Sequence, residues 1–274
     1  MCVCDTMRST RYGRRKLKLR GIPGRKFSKV LSLYDGRLRH PFTCLVSGSS
    51  GSGKSTLVLD ILSKRRRLID TYFHYITIFL GTSPESNPNY LKFKERFPKL
   101  VEIVDVRKLY PSQEDIKSKL SGAIRTHVAA HGGKPGCLLF DDLMNELSTS
   151  GGILTELFTK LCSHSNLSSI HITQNLFSKS AGGATDHTTL YRNSHYIILF
   201  DSPLDGTVIS HVARRIAGPG KGRRVQNMLM DIVRKHRYVM ISGNLKTPRE
   251  LQFRSAITAD KPTPHQLVFQ LAEE

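Results

Sequence analysis

Acidic residues are scarce in this chain of 274: 22 Asp and Glu stand against 42 Lys and Arg, for a formal net charge of +20. Metabolism of a small molecule gives no reason for such an excess. It points to a polyanionic partner, nucleic acid first. Cysteine is also sparse and odd in number: Cys2, Cys4, Cys44, Cys137 and Cys162. The last three lie in apolar runs that read as core, and no pattern resembles a secreted disulfide framework, so a reducing compartment is expected. Cys2 and Cys4 are too isolated to form a zinc site. No apolar run approaches the roughly 18 residues that span a bilayer. The opening MCVCDTMRSTRYGRR lacks the apolar centre of a signal peptide. No membrane partner is therefore expected. Hydrophobic residues make up 39% of the chain, enough for one sizeable α/β domain and short for two.

Charge is unevenly spread. Residues 1–40 hold twelve Lys/Arg against Asp5 and Asp35, a local balance of 12 − 2 = +10. They read as a basic N-terminal arm. A domain is expected over 41–260, with a C-terminal tail over 261–274. Within the domain, strand-like runs (42–47, 72–81, 100–106, 137–142, 168–175, 194–200, 237–242, 251–257) alternate with helix-like ones (54–66, 113–130, 151–164, 205–216, 223–236). SPESNPN (83–89) reads as a loop. The alternation predicts a mostly parallel sheet with helices on both faces.

FTCLVS, an apolar run, passes into Gly48-Ser49-Ser50-Gly51-Ser52-Gly53-Lys54-Ser55, followed by Thr56 and a helical pattern. This fits G-x-x-x-x-G-K-[ST] without a mismatch. Glycines let successive backbone N–H groups curl around a phosphate, and the helix start adds partial positive charge. Lys54 would reach the β and γ phosphates and Ser55 would offer its hydroxyl to Mg²⁺. A second run, CLLFDD, ends in Asp141 and Asp142. A carboxylate at the tip of a buried strand can hold the Mg²⁺ shell, the role expected of Asp141. Asp142 can orient or deprotonate the attacking water. Glutamate is usual at that place and Asp is one methylene shorter, so Glu146 is a second candidate base. In HITQN, Gln174 ends a strand expected beside the first, where it can report the state of the γ-phosphate.

In that order, GSSGSGKS, CLLFDD and HITQN resemble the HerA–FtsK superfamily of DNA-pumping ATPases, and more narrowly the poxvirus-type genome-packaging ATPases. The resemblance covers about residues 40–200. It implies a RecA-like P-loop NTPase core that hydrolyses ATP with Mg²⁺. It also implies a homo-oligomeric ring, commonly a hexamer, that threads double-stranded DNA into a capsid, with capsid protein as a further partner. Lys54 and Ser55 match the phosphate loop, Asp141 the Mg²⁺ ligand, Asp142 the catalytic acid position and Gln174 the sensor. Such rings complete the site with an arginine in trans, for which Arg192 is the candidate and Arg214 and Arg215 are rivals. The expected location is intracellular, in the host-cell nucleus or a virus factory, and with the virion.

RRIAGPGKGRR places Arg214, Arg215, Lys221, Arg223 and Arg224 around glycines and a proline, a basic loop suited to tracking a phosphate backbone without reading bases. Two other readings stay open. A superfamily-3 viral helicase also carries a phosphate loop and a strand ending in Asn, here Asn175. Against it, Lys54 and Asp141 lie far apart and no origin-binding domain precedes the loop. A nucleotide-switched DNA-binding protein without motor activity is the other. LSTSGG (147–152) follows the Asp strand, the wrong place for an ABC-type signature. His164, His171, His187 and His195 lack metal-ligand spacing and read as structural, and no nuclease carboxylate cluster follows residue 200.

Overall fold

The computed structural model describes residues 18–19, 36–110, 112–143, 153–174, 176, 187–202, 206–217, 221–245, 247, 251–258 and 267–269. Most of the basic arm, Glu146, Asn175, residues 147–152 and 218–220 lie outside them.

The chain is of the α/β class, with a ten-stranded sheet in the order β1-β10-β9-β8-β7-β2-β6-β5-β3-β4. Its centre is parallel: β7 (Tyr196–Phe200), β2 (Thr43–Ser47), β6 (Leu167–Thr173), β5 (Gly136–Asp141), β3 (Tyr75–Leu80) and β4 (Val101–Asp105). β8 (Tyr238–Ser242), β9 (Phe253–Ser255) and β10 (Leu267–Phe269) extend it antiparallel beyond β7. β1 (Lys18–Leu19) pairs with β10. Residues 18–19 and 267–269, read from sequence as arm and tail, thus belong to the sheet.

The period of two in each strand sorts side chains into two cores. Leu45, Leu138 and Phe140 face one, and Cys44, Val46, Cys137 and Leu139 face the other. On the second face lie α1 (Lys54–Ser63), α2 (Arg65–Leu68) and α3 (Pro88–Arg96). The short α4 (Val106–Leu109) precedes α5 (Gln113–Ala130), which covers the first face. There Ile116, Leu120, Ile124 and Val128 are all buried, each contributing about 1.5–3 kcal/mol. Ser112 caps α5, accepting from Asp115 N at 3.0 Å, and Glu114 and Asp115 suit the positive end of its dipole. Next on this face is α6, helical over Ile153–Glu156 and Cys162–His164 with a π turn at Leu157–Leu161 between. α7 (His187–Arg192), α8 (Thr207–Ala217) and α9 (Gly222–His236) complete it. Helices on both faces of a mostly parallel sheet are the arrangement that the alternation of strands and helices predicts.

Two local readings are corrected. Residues 83–89 are not one loop: a 3₁₀ turn (Pro84–Ser86) leads into α3, where Pro88 sits in the first turn and Asn87 accepts from Asn89 N at 3.4 Å. The basic loop at 214–224 is largely helical. Arg214 and Arg215 fill the last turn of α8, Lys221 is the N-cap of α9, and Arg223 and Arg224 start it. The apolar spacing that buries Ile209, Val212 and Ala213, then Val225 and Leu229, carries both helices up to the turn.

Candidate nucleotide site

Parallel strands end together, so whatever follows them is gathered at one edge. Asp141 of β5 pairs with Ile172 of β6, and Thr173 pairs with Ser47 of β2. The turn after β2, the carboxylate ending β5 and the residue after β6 are therefore neighbours along the carboxyl edge. That edge is where α/β sheets bind ligands.

The turn after β2 is the phosphate loop. Gly51 and Gly53 take left-handed backbone, φ 74° and 97°, which side-chain-bearing residues rarely adopt. Gly53 is the N-cap of α1, so its N–H groups open toward the loop. Ser49 O accepts from Ser52 N at 3.3 Å. The Ser52 hydroxyl is buried and has no hydrogen-bond partner among the described residues. A buried donor left over in the phosphate loop fits an anion such as a nucleotide phosphate. Lys54, on the first turn of α1, is buried and donates to Gly48 O at 2.8 Å and Ser49 O at 2.7 Å. Burial lowers its pKa, while the charges of Asp141 and Asp142 act the other way. Ser50 and Thr56 are exposed.

Ser55 Oγ donates to Asp141 Oδ2 at 2.9 Å. Burial raises the Asp141 pKa, and hydrogen bonds from Tyr90 and Ser55 oppose it. A hydroxyl and a carboxylate held together beside a phosphate cradle are hard oxygen donors, which fits Mg²⁺. The Tyr90 hydroxyl also donates to Asp141 Oδ2. No sequence motif includes this residue: it stands on α3, just beyond the 83–89 stretch read as a loop.

Asp142 is exposed and left-handed, φ 58°. Its carbonyl passes so close to Gly81, the residue after β3, that a Cβ there would stand 2.0 Å from the oxygen. Gln174 is exposed and directly follows the Thr173–Ser47 pair, one residue beyond the strand it was expected to end.

Arg192 lies at the opposite edge. It is exposed and ends α7, shortly before β7 begins at Tyr196. The next residue, Asn193, accepts from Thr43 Oγ1 at 2.7 Å, and His195 N donates to Thr43 O at 3.0 Å. Thr43 is the first residue of β2, so Arg192 is about a strand length, roughly 16 Å, from its own phosphate loop. The end of α8 shares that amino edge: Arg215 lies over the Tyr191 ring at 5.2 Å. Arg192, Arg214, Arg215, Lys221, Arg223 and Arg224 are each exposed.

Among the described residues, no group of three or more His, Cys, Asp or Glu could hold a metal, and no helix is long and apolar enough to cross a membrane.

The profile of the family described as "Poxvirus A32 protein" matches residues 32–190. Among curated proteins none matches the chain. Among solved structures, the genome packaging NTPase B204 of Sulfolobus turreted icosahedral virus 2, in complex with ATP-gammaS, is 17% identical. That match covers 75% of this chain and 94% of that one, with a TM-score of 0.46. The KaiC-like protein PH0186 of Pyrococcus horikoshii OT3 is 12% identical over 84% and 91%, with a TM-score of 0.44. EssC (ATPases 2 and 3) of Geobacillus thermodenitrificans is 14% identical over 61% and 33%, with a TM-score of 0.38. At these values they carry no residue assignment.

Proposed function

Because the chain belongs to the Poxvirus A32 protein family, we propose that it is the viral genome-packaging ATPase its motifs resemble, a motor that drives double-stranded DNA into a capsid. The observation that carries this reading is the meeting of Lys54, Ser55 and Asp141 at the carboxyl edge of the sheet.

The backbone N–H groups of residues 48–53 and the start of α1 would bind the ATP phosphates. Lys54, held by two loop carbonyls, would turn to the β and γ oxygens and offset charge growing there. Ser55 and Asp141 would hold Mg²⁺, which supplies charge neutralisation at the phosphates. Asp142, projecting from left-handed backbone, would orient the attacking water, and Gln174 would sense the γ-phosphate. Arg192 would act only on a neighbouring subunit, since it stands at the far edge from its own loop. That distance supports a ring.

The exposed Arg214, Arg215, Lys221, Arg223 and Arg224 and the net charge of +20 support a duplex backbone along that edge. The nucleotide and the DNA would then sit at opposite ends of the central strands.

The test is ATP hydrolysis with and without double-stranded DNA, with Lys54→Ala and Gln174→Ala beside the wild type. DNA should raise turnover several-fold, Lys54→Ala should abolish it, and Gln174→Ala should leave a basal rate that DNA no longer stimulates. Turnover indifferent to DNA, still lost in Lys54→Ala, would overturn the motor in favour of a nucleotide switch.

A further inference from the structure

Tyr90 is 1% exposed, and no motif of the sequence includes it. Its place is fixed from two sides. Pro88 and the Asn87 cap set where α3 begins, which puts Tyr90 in the first turn. Its ring lies in the same core as Leu57, Val58 and Ile61 of α1, the helix that starts at the phosphate loop. The ring therefore has one place to go, and its hydroxyl ends on Asp141 Oδ2.

That oxygen also receives the Ser55 hydroxyl at 2.9 Å. A carboxylate oxygen has about two lone-pair sites, so two hydroxyl donors on Oδ2 set the plane of the group. Among the described residues neither donor bonds to Oδ1, which is left as the oxygen to face a cation and its waters. Ser55 alone would leave the carboxylate free to swing about that one bond.

We propose that Tyr90 is a positioning residue for the divalent-cation site: its hydroxyl, anchored by α3, locks the Asp141 carboxylate in the orientation that binds Mg²⁺. This rests on reading Ser55 and Asp141 as the cation ligands. Tyr90 does not touch the nucleotide; it acts through Asp141.

The experiment uses the full chain with Tyr90→Phe, which keeps the ring, and Tyr90→Met, which keeps apolar bulk without a hydroxyl. Mn²⁺ affinity is measured by electron paramagnetic resonance at saturating ADP, and ADP affinity in EDTA by fluorescence titration. Removing the partner that orients a metal ligand typically weakens the metal about 10–100-fold. Both variants should bind Mn²⁺ about tenfold more weakly and bind ADP in EDTA as the wild type does. Added to Asp141→Asn, Tyr90→Phe should cause no further loss. A Tyr90→Phe protein with Mn²⁺ affinity within about twofold of wild type overturns the proposal, as does equal weakening of ADP in EDTA, which would mark a merely structural role. Ser55→Ala and Asp141→Asn separate the two failures. If neither weakens Mn²⁺, the cation-site reading itself falls; if both do and Tyr90→Phe does not, only the role of Tyr90 falls.

Discussion

Ser55 and Asp141 stand 86 positions apart in the chain, and a 2.9 Å hydrogen bond joins them. One stands in the first turn of a helix and the other closes a strand, and β6 lies between β2, which leads into that helix, and β5. The bond reaches across that intervening strand end, so it reports directly whether the carboxyl edge is assembled.

Asp142 should be separable from nucleotide binding. Asn tolerates left-handed backbone as Asp does, so Asp142→Asn keeps the turn at φ 58° and removes the charge. ATP affinity should match wild type while single-turnover phosphate release slows by roughly 10²–10⁴, the range for losing a general base. A release rate within threefold of wild type would move the role elsewhere.

Gly81→Ala should act on the same turn from the neighbouring strand. Its new Cβ would meet the Asp142 carbonyl at 2.0 Å, so the β5 end must shift. The expected cost is about 1–3 kcal/mol, visible as a melting point lower by roughly 2–12 °C, with hydrolysis reduced as well. An unchanged melting point would mean that the two strand ends move apart freely.

Duplex contact at the amino edge predicts a salt signature. Arg214→Ala with Arg223→Ala should weaken binding to any sequence alike. The slope of log K against log salt should fall by about 1.8, or 0.9 per lost phosphate contact. Fluorescence anisotropy at several salt concentrations measures it. An unchanged slope would place the DNA elsewhere.

His171 predicts loss of stability in acid. It is 1% exposed, stacked on Phe140 at 4.5 Å, and burial lowers its pKa to about 3. The folded chain keeps it neutral while the unfolded chain takes up a proton near pH 6.5. Stability is therefore full above about 6.5 and falls as pH drops from there toward 3, by up to about 1.4 kcal/mol per unit. Burial lowers His40, His127 and His195 as well, which adds in the same direction. In His171→Phe, the difference in unfolding free energy between pH 7 and pH 5, from urea titrations, should shrink by about 2 kcal/mol.

The central architecture was legible because its signals are local. Apolar residues four apart marked α5 over 113–130, and the strand–glycine–helix run marked the phosphate loop. What stayed hidden depended on three-dimensional neighbours or on weak punctuation. Asn87-Pro88 looks like a turn, yet Pro suits a helix start, and Tyr90 and Phe93, three apart, were the signal for α3. Glycines and Pro219 made 214–224 look like a basic loop, although the helix-like runs 205–216 and 223–236 already reached into it from both sides, as α8 and α9 do. That Arg192 faces the amino edge follows only from the pairing of Thr43 with Asn193 and His195.

β6 has a consequence of a mechanical kind. Its seven residues are buried throughout and laced to β5 on one side and β2 on the other. At one end, Ser168 and the neighbouring Asn166 bond the two ring nitrogens of His40, at 2.7 and 2.9 Å; at the other stands Gln174. A strand so held can neither stretch nor slide without breaking a ladder. It is a strut roughly 23 Å long, stiffer than the loops at its tips, so displacement between its two ends falls mainly on those loops.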